Sequence, residues 1–127
     1  MILVDTSVWV DHLRHGDARL GALLESARVL AHPFVVGEIA CGSLSDRAVV
    51  LELLRDLPMA AVAEAEEVLD FIDRQRIHGK GLGYVDVHLL ASVVLTPGAR
   101  LWTRDKRLHE IAMSLGCAHI EDDKSPS

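Results

Sequence analysis

The stretch Met1-Ile2-Leu3-Val4-Asp5 constrains this chain more than any other. Four apolar residues closed abruptly by an acid read as a short strand, buried on both faces, that delivers a carboxylate at its C-terminal end. In open α/β sheets ligands bind at that edge. The reading expects a parallel sheet covered by helices on both faces, with further functional side chains gathered beside Asp5.

The rest of the chain alternates in the way such a sheet requires. Thr6 to Leu13 reads as a short helix capped by Thr6 or Ser7, and Leu20, Leu23, Leu24 and Ala27 have helical spacing in a second. A strand is expected around Arg28 to Ala31. Pro33 suits the first turn of a helix running on through Phe34 to Leu44, and Ser45 or Asp46 caps the next, which Pro58 ends. A strand over Met59 to Val62 follows. Glu64, Glu66 and Glu67 open a helix whose basic end is Arg74, Arg76 and Lys80, an order set by the helix dipole. Gly79-Lys80-Gly81-Leu82-Gly83 is a hinge. It follows a helix and lacks a terminal Lys-Ser or Lys-Thr, which excludes a phosphate loop of the P-loop type. Tyr84 to Leu95 is a helix, Leu101 to Thr103 a strand, Leu108 to Leu115 a helix ended by Gly116, and Cys117 to Ile120 a last strand. The expected fold is a three-layer α/β/α domain over residues 1–127, with a short central parallel sheet of four to five strands and a loose acidic tail at 121–127.

Composition sets limits on function. The 127 residues are 50% hydrophobic and 25% charged, which fits a globular chain with one core and excludes a disordered one. No basic leader precedes Asp5, and the longest uncharged run in the second half, Val87 to Ala99, is too short for a bilayer, so a cytoplasmic location is expected. Cys41 and Cys117 lack metal or redox spacing and read as reduced packing residues. The net charge of −6 argues against nucleic-acid binding through the protein's own field, unless bound cations neutralise the acids where a phosphate would sit.

Four acids fit that exception. Asp5 and Asp105 end predicted strands, Asp86 lies in the first turn of a predicted helix, and Glu38 sits among Val35, Val36, Ile39 and Ala40 on a helix that reads as buried. A buried carboxylate needs a partner. Converging at one sheet edge, the four would repel one another without a cation, and an all-oxygen set suits Mg²⁺ or Mn²⁺. His12, His15 and His88 lack zinc spacing, Asp11 reads as a solvated acid, and Trp9 and Trp102 read as core.

Four blocks now stand in order: Met1-Ile-Leu-Val-Asp5-Thr-Ser-Val-Trp9, His32-Pro-Phe-Val-Val-Gly-Glu38, Gly83-Tyr-Val-Asp86 and Leu101-Trp-Thr-Arg-Asp105-Lys-Arg-Leu108. Together they resemble a PIN-domain nuclease, and more narrowly the VapC-type ribonuclease toxins of bacterial toxin-antitoxin pairs. The resemblance implies Asp5, Glu38, Asp86 and Asp105 as the catalytic acids, Asp5, Asp86 and Asp105 among them as metal ligands, and Thr6, Ser7 and Thr103 as supporting hydroxyls. It implies hydrolysis of RNA by metal-activated water to 5′-phosphate and 3′-hydroxyl ends, a cognate VapB-like antitoxin and a homodimer. Arg14, Arg104, Lys106 and Arg107 flank the proposed edge and are the candidates for RNA contact. An antitoxin could lay basic residues into the acidic cleft and an apolar segment over leucines of the helices from Asp17 and Asp46.

Three rival readings differ in kind. An aspartate-based phosphotransferase also places an acid after its first strand, but its second acid would fall where Ser7 stands. A non-catalytic binding module of the same fold and a housekeeping nuclease without antitoxin share the four acids.

Overall fold

The computed structural model describes residues 1–121. Strand β1 is Ile2–Val4, and all three of its residues are buried, so both faces of the sheet are covered. It is the central strand. β2, Val29–Leu30, and β3, Arg100–Trp102, lie on either side of it, both parallel, with Leu3 opposite Leu30 and Leu101. Parallel neighbours need crossovers, and helices supply them.

The first crossover holds α1, Thr6–His15, and α2, Ala18–Glu25. Between β2 and β3 come α3, Pro33–Ala40, α4, Arg47–Asp56, α5, Ala65–Gln75, and α6, Tyr84–Leu95. α7, Lys106–Ser114, follows β3. One continuous cluster of buried side chains, centred on Leu3, Leu89, Leu90, Leu101 and Trp102, joins the sheet to the helices. The α/β/α order expected from the alternation is present.

The sheet is narrower than expected. The strand expected over Met59 to Val62 is a single bridge, Met59 to Ala31, and that over Cys117 to Ile120 is a single bridge, Ala118 to Leu101. Each outer segment pairs once and then leaves, because Val62 and Ile120 are about half exposed and have no sheet face to bury. α3 stops at Ala40, four residues early, and Cys41, expected to pack, is its exposed C-cap. Asp46 stands at the N-cap of α4 with left-handed backbone (φ 52°) and makes no side-chain cap bond. Of the acidic tail, residues 122–127 lie outside the described residues. Glu121 is pinned, accepting from Trp102 Nε1 at 2.8 Å and Arg104 Nε at 2.7 Å.

Candidate active site

Asp5, not Thr6 or Ser7, caps α1: its Oδ1 accepts from the Thr6 N–H at 2.7 Å. Capping was the ordinary reading of this aspartate, and it uses one oxygen only. The other, Oδ2, accepts from Ser7 Oγ at 3.0 Å and from Thr103 Oγ1 at 2.7 Å. Those hydroxyls in turn accept from the backbone N–H groups of Arg104 and Asp105, both at 3.1 Å. The loop from β3 to α7 is thus tied to Asp5 through two relays, which place Asp105 beside it. Asp105 repeats the pattern, capping α7 through Oδ1 to the Leu108 N–H at 2.9 Å. Asp5 is buried and Asp105 exposed.

Glu38 corrects an expectation. It is exposed, so burial does not account for it. The helix looks uniformly apolar in sequence, yet its buried face is Val35 and Ile39, and Glu38 lies at the exposed flank of that face. Thr6 Oγ1 donates to its Oε1 at 2.7 Å, which joins α3 to the start of α1. Asp86 enters from the first turn of α6, with the Gly83 N–H donating weakly to it at 3.4 Å.

The four acids share one field. The Asp86 carboxyl is held above its ordinary value by partial burial first and then by the charge of Asp5; the Gly83 N–H opposes this, and Asp105 and Glu38 add to it. Among the described residues, no three Asp, Glu, His or Cys side chains already stand as an ion cage. The donor set nonetheless fits a hard divalent cation: it is all oxygen, and its mutual repulsion is what such a cation relieves.

The basic candidates divide. Arg104 does not face the cleft. Its Nε, Nη1 and Nη2 donate to Glu121, Asp11 and Asp17, and its Cζ lies 5.5 Å from the centre of the Trp102 ring. Asp11, expected to be solvated, therefore has a partner. Arg14 lines an open groove of about 690 Å³ with Glu38, Ile39 and Val50. Lys106 and Arg107 are exposed at the start of α7. A second groove, about 280 Å³ and almost wholly apolar, lies between α1, α2 and α4, lined by Trp9, Leu13, Leu24, Leu53 and Leu57.

His32 is a positioning residue that the sequence reading passed over. It is fully buried, its Nδ1 accepts from the Phe34 N–H at 3.0 Å, and Nε2 is therefore the protonated nitrogen, 3.0 Å from Ser92 Oγ. Burial, and after it His88, lowers its pKa to about 4. The neutral ring caps α3 and fastens it to α6, the two helices that carry Glu38 and Asp86. A histidine directly before Pro33, in the cap position, was the available signal. His88 is a packing histidine, buried against Phe34 and Tyr84.

A short parallel α/β sheet with carboxylates gathered at the C-terminal edge of its strands defines the class of protein. Comparison with known proteins narrows it. The PIN-domain family model matches residues 2–113. Ribonuclease VapC32 of Mycobacterium tuberculosis, from strains CDC 1551 / Oshkosh and ATCC 25618 / H37Rv, is 52% identical over 122 residues, covering 96% of this chain and 98% of the relative. A solved structure of FitAB bound to an IR36 DNA fragment superposes with a TM-score of 0.64 at 22% identity, covering 97% of this chain and 99% of that one, a likeness of fold. The chain belongs to the PIN-domain family, and within it to the VapC-type ribonucleases.

Proposed function

We propose that this protein is a divalent-metal-dependent endoribonuclease and the toxin of a toxin-antitoxin pair. The observation that carries the reading is the gathering of Asp5, Glu38, Asp86 and Asp105 in one field, where partial burial first and then the charges of the other three acids hold the Asp86 carboxyl up. The relatives named as ribonucleases support RNA as the substrate.

Asp5, Asp86 and Asp105 would hold Mg²⁺ or Mn²⁺. When bound, the ion supplies charge stabilisation for the phosphodiester and lowers the pKa of an attacking water. Glu38, exposed and oriented by the Thr6 hydroxyl, takes a proton from that water. The new bond joins the water oxygen to phosphorus, the bond to the 3′ oxygen breaks, and the leaving oxygen is protonated from solvent. The products are 5′-phosphate and 3′-hydroxyl ends. Ser7 and Thr103 keep Asp5 in one rotamer, so this one carboxylate would be oriented in advance of an ion.

The partner is a VapB-like antitoxin. An apolar segment of it suits the groove bounded by Trp9, Leu24 and Leu53, and basic side chains suit the neighbouring acids. Exposed Leu69, Val94 and Leu95 offer apolar surface for a homodimer. Among the described residues no helix is long and apolar enough to cross a membrane, which is compatible with action in the cytoplasm on RNA.

The test compares purified, antitoxin-free protein with Asp5→Asn on a pool of single-stranded and structured RNA, with Mn²⁺, with Mg²⁺ and with chelator. Cleavage that requires metal, leaves 5′-phosphate ends and vanishes in a folded Asp5→Asn variant is the expected result. Folded wild type that binds neither metal nor RNA would overturn the reading.

A further inference from the structure

Of the Gly79–Gly83 hinge the site as described uses only Gly83, yet Gly81 also touches the site's edge. Gly81 has positive φ (+81°), and a Cβ built there would collide with the Arg107 guanidinium, whose Cζ would lie only 3.1 Å away. Arg107 therefore lies close against Gly81, in the space a Cβ would take. Its position is pointed: it follows Asp105 by two residues on α7, while Gly81 precedes by two the Gly83 that caps α6 and binds Asp86. The arginine bridges the elements that carry two of the four acids.

Attraction alone would fold such a guanidinium onto a neighbouring carboxylate. Here it does not. Among the described residues no hydrogen bond or ion pair engages the Arg107 side chain, in contrast to Arg104, which binds three acids. A guanidinium held on glycine, exposed and uncompensated beside a cleft for a phosphodiester, has the planar fork that takes phosphate oxygens in pairs.

We propose that Gly81 and Arg107 form a phosphate subsite for the RNA chain on the Asp86 and Asp105 side of the cleft, Gly81 being the seat that aims the guanidinium. The subsite rests on the ribonuclease reading and deepens it. The hinge glycine, on this account, is retained for what lies on it as well as for its turn.

Gly79 supplies a matched control. It also has positive φ (+71°), but a Cβ there would meet nothing within 4 Å. Gly79→Ala and Gly81→Ala thus share backbone strain, and only the second displaces Arg107. Each change is placed in a Glu38→Gln parent, which keeps the three metal-binding acids and suppresses cleavage. Affinity for a labelled single-stranded RNA of mixed sequence is measured in Mg²⁺ against KCl concentration, with the melting temperature of each variant. Arg107→Ala is expected to weaken binding about tenfold at low salt and to flatten the log-log salt slope by about 0.7, the loss of one phosphate contact. Arg107→Lys restores the slope but only part of the affinity. Gly81→Ala reproduces Arg107→Ala, adds nothing to it in the double variant, and differs from Gly79→Ala. A parent that binds RNA while Arg107→Ala keeps its slope, or Gly81→Ala that matches Gly79→Ala, overturns the subsite alone. A parent that binds no RNA overturns the ribonuclease reading together with it.

Discussion

Two acidic clusters flank the loop from β3 to α7, and among the described residues a cation pairs with only one. On one side Asp11, Asp17 and Glu121 close around Arg104. Burial, the largest single influence, pushes the Asp17 and Glu121 carboxyls up, but the hydrogen bonds and charge of Arg104, joined by the Leu20 and Arg19 N–H groups at Asp17 and by Trp102 and Arg19 at Glu121, together leave both below their ordinary values. On the other side Asp5, Glu38, Asp86 and Asp105 have hydroxyls and N–H groups for company, and Asp86 is raised. Carboxylates satisfied within the chain belong to its architecture. Carboxylates that want a charge from outside are where a metal and a substrate are expected.

The largest effect that would sharpen this contrast is on Arg104. Arg104→Met leaves Asp17, well covered, without a counter-charge and Glu121 with only Arg19 at 3.9 Å, and frees α1, the start of α2 and residue 121 from the loop. A loss of about 2–3 kcal/mol in urea unfolding is expected, at unchanged m value. Arg104→Lys recovers less than half, since one ammonium cannot serve three carboxylates in a plane. Stability within about 0.5 kcal/mol of wild type in Arg104→Met would show the cluster to be an ordinary surface network and dissolve the contrast.

Acid should separate the clusters by sign. Asp17 and Glu121 bind protons less readily folded than unfolded, so their contribution is complete above the unfolded values of 3.8 and 4.5 and is lost as pH falls through the lower folded ones. Asp86 runs the other way: protonation relieves it, and its cost to the metal-free protein sets in as pH rises above 3.8 toward its raised folded value. His32, neutral in the fold with a pKa of about 4 against 6.5 unfolded, loses stability over that whole interval as pH falls. Subtracting the Arg104→Met melting curve from the wild-type curve cancels His32 and Asp86. The difference is expected to be flat from pH 8 to about 5 and to shrink below 4.5; a difference that is constant to pH 3 would refute the pairing.

The clusters were not equally legible in the sequence. Asp5 and Asp105 could be found because a short apolar run ends in each, a local signal, and Asp86 because a Gly-rich break precedes its helix. Glu38 was selected on the premise that α3 buries it; the structure exposes it and ties it to Thr6, a contact across 32 residues that no local pattern announces. Arg104 was read as a cleft residue because its neighbours in sequence are. Its side chain turns the other way to meet acids 93, 87 and 17 residues distant, and only tertiary structure brings those together. The outer strands fail for a related reason: the alternation of elements calls for strands at Met59 to Val62 and Cys117 to Ile120, but pairing beyond one bridge needs a face to bury, which the three-stranded sheet does not extend to them.

The smallest expected effect is the most discriminating. If Asp86 is held in the metal-free protein against partial burial first and then the charges of Asp5, Asp105 and Glu38, then Asp86→Asn relieves both and its carbonyl oxygen can still accept from the Gly83 N–H. Without metal the variant should be more stable than wild type by about 0.5 kcal/mol, a figure already reduced for solvent screening at a half-exposed group. With Mn²⁺ the order should reverse, because wild type gains binding energy that the variant forgoes. Asp17→Asn, the matched change in the Arg104 cluster, should destabilise whether or not metal is added. Asp86→Asn that destabilises in chelator, as Asp17→Asn does, would mean that both clusters are satisfied from within and that the four acids need no cation. The crossing of the two stability orders on adding metal is the signature of a site built to be completed by something the chain does not contain.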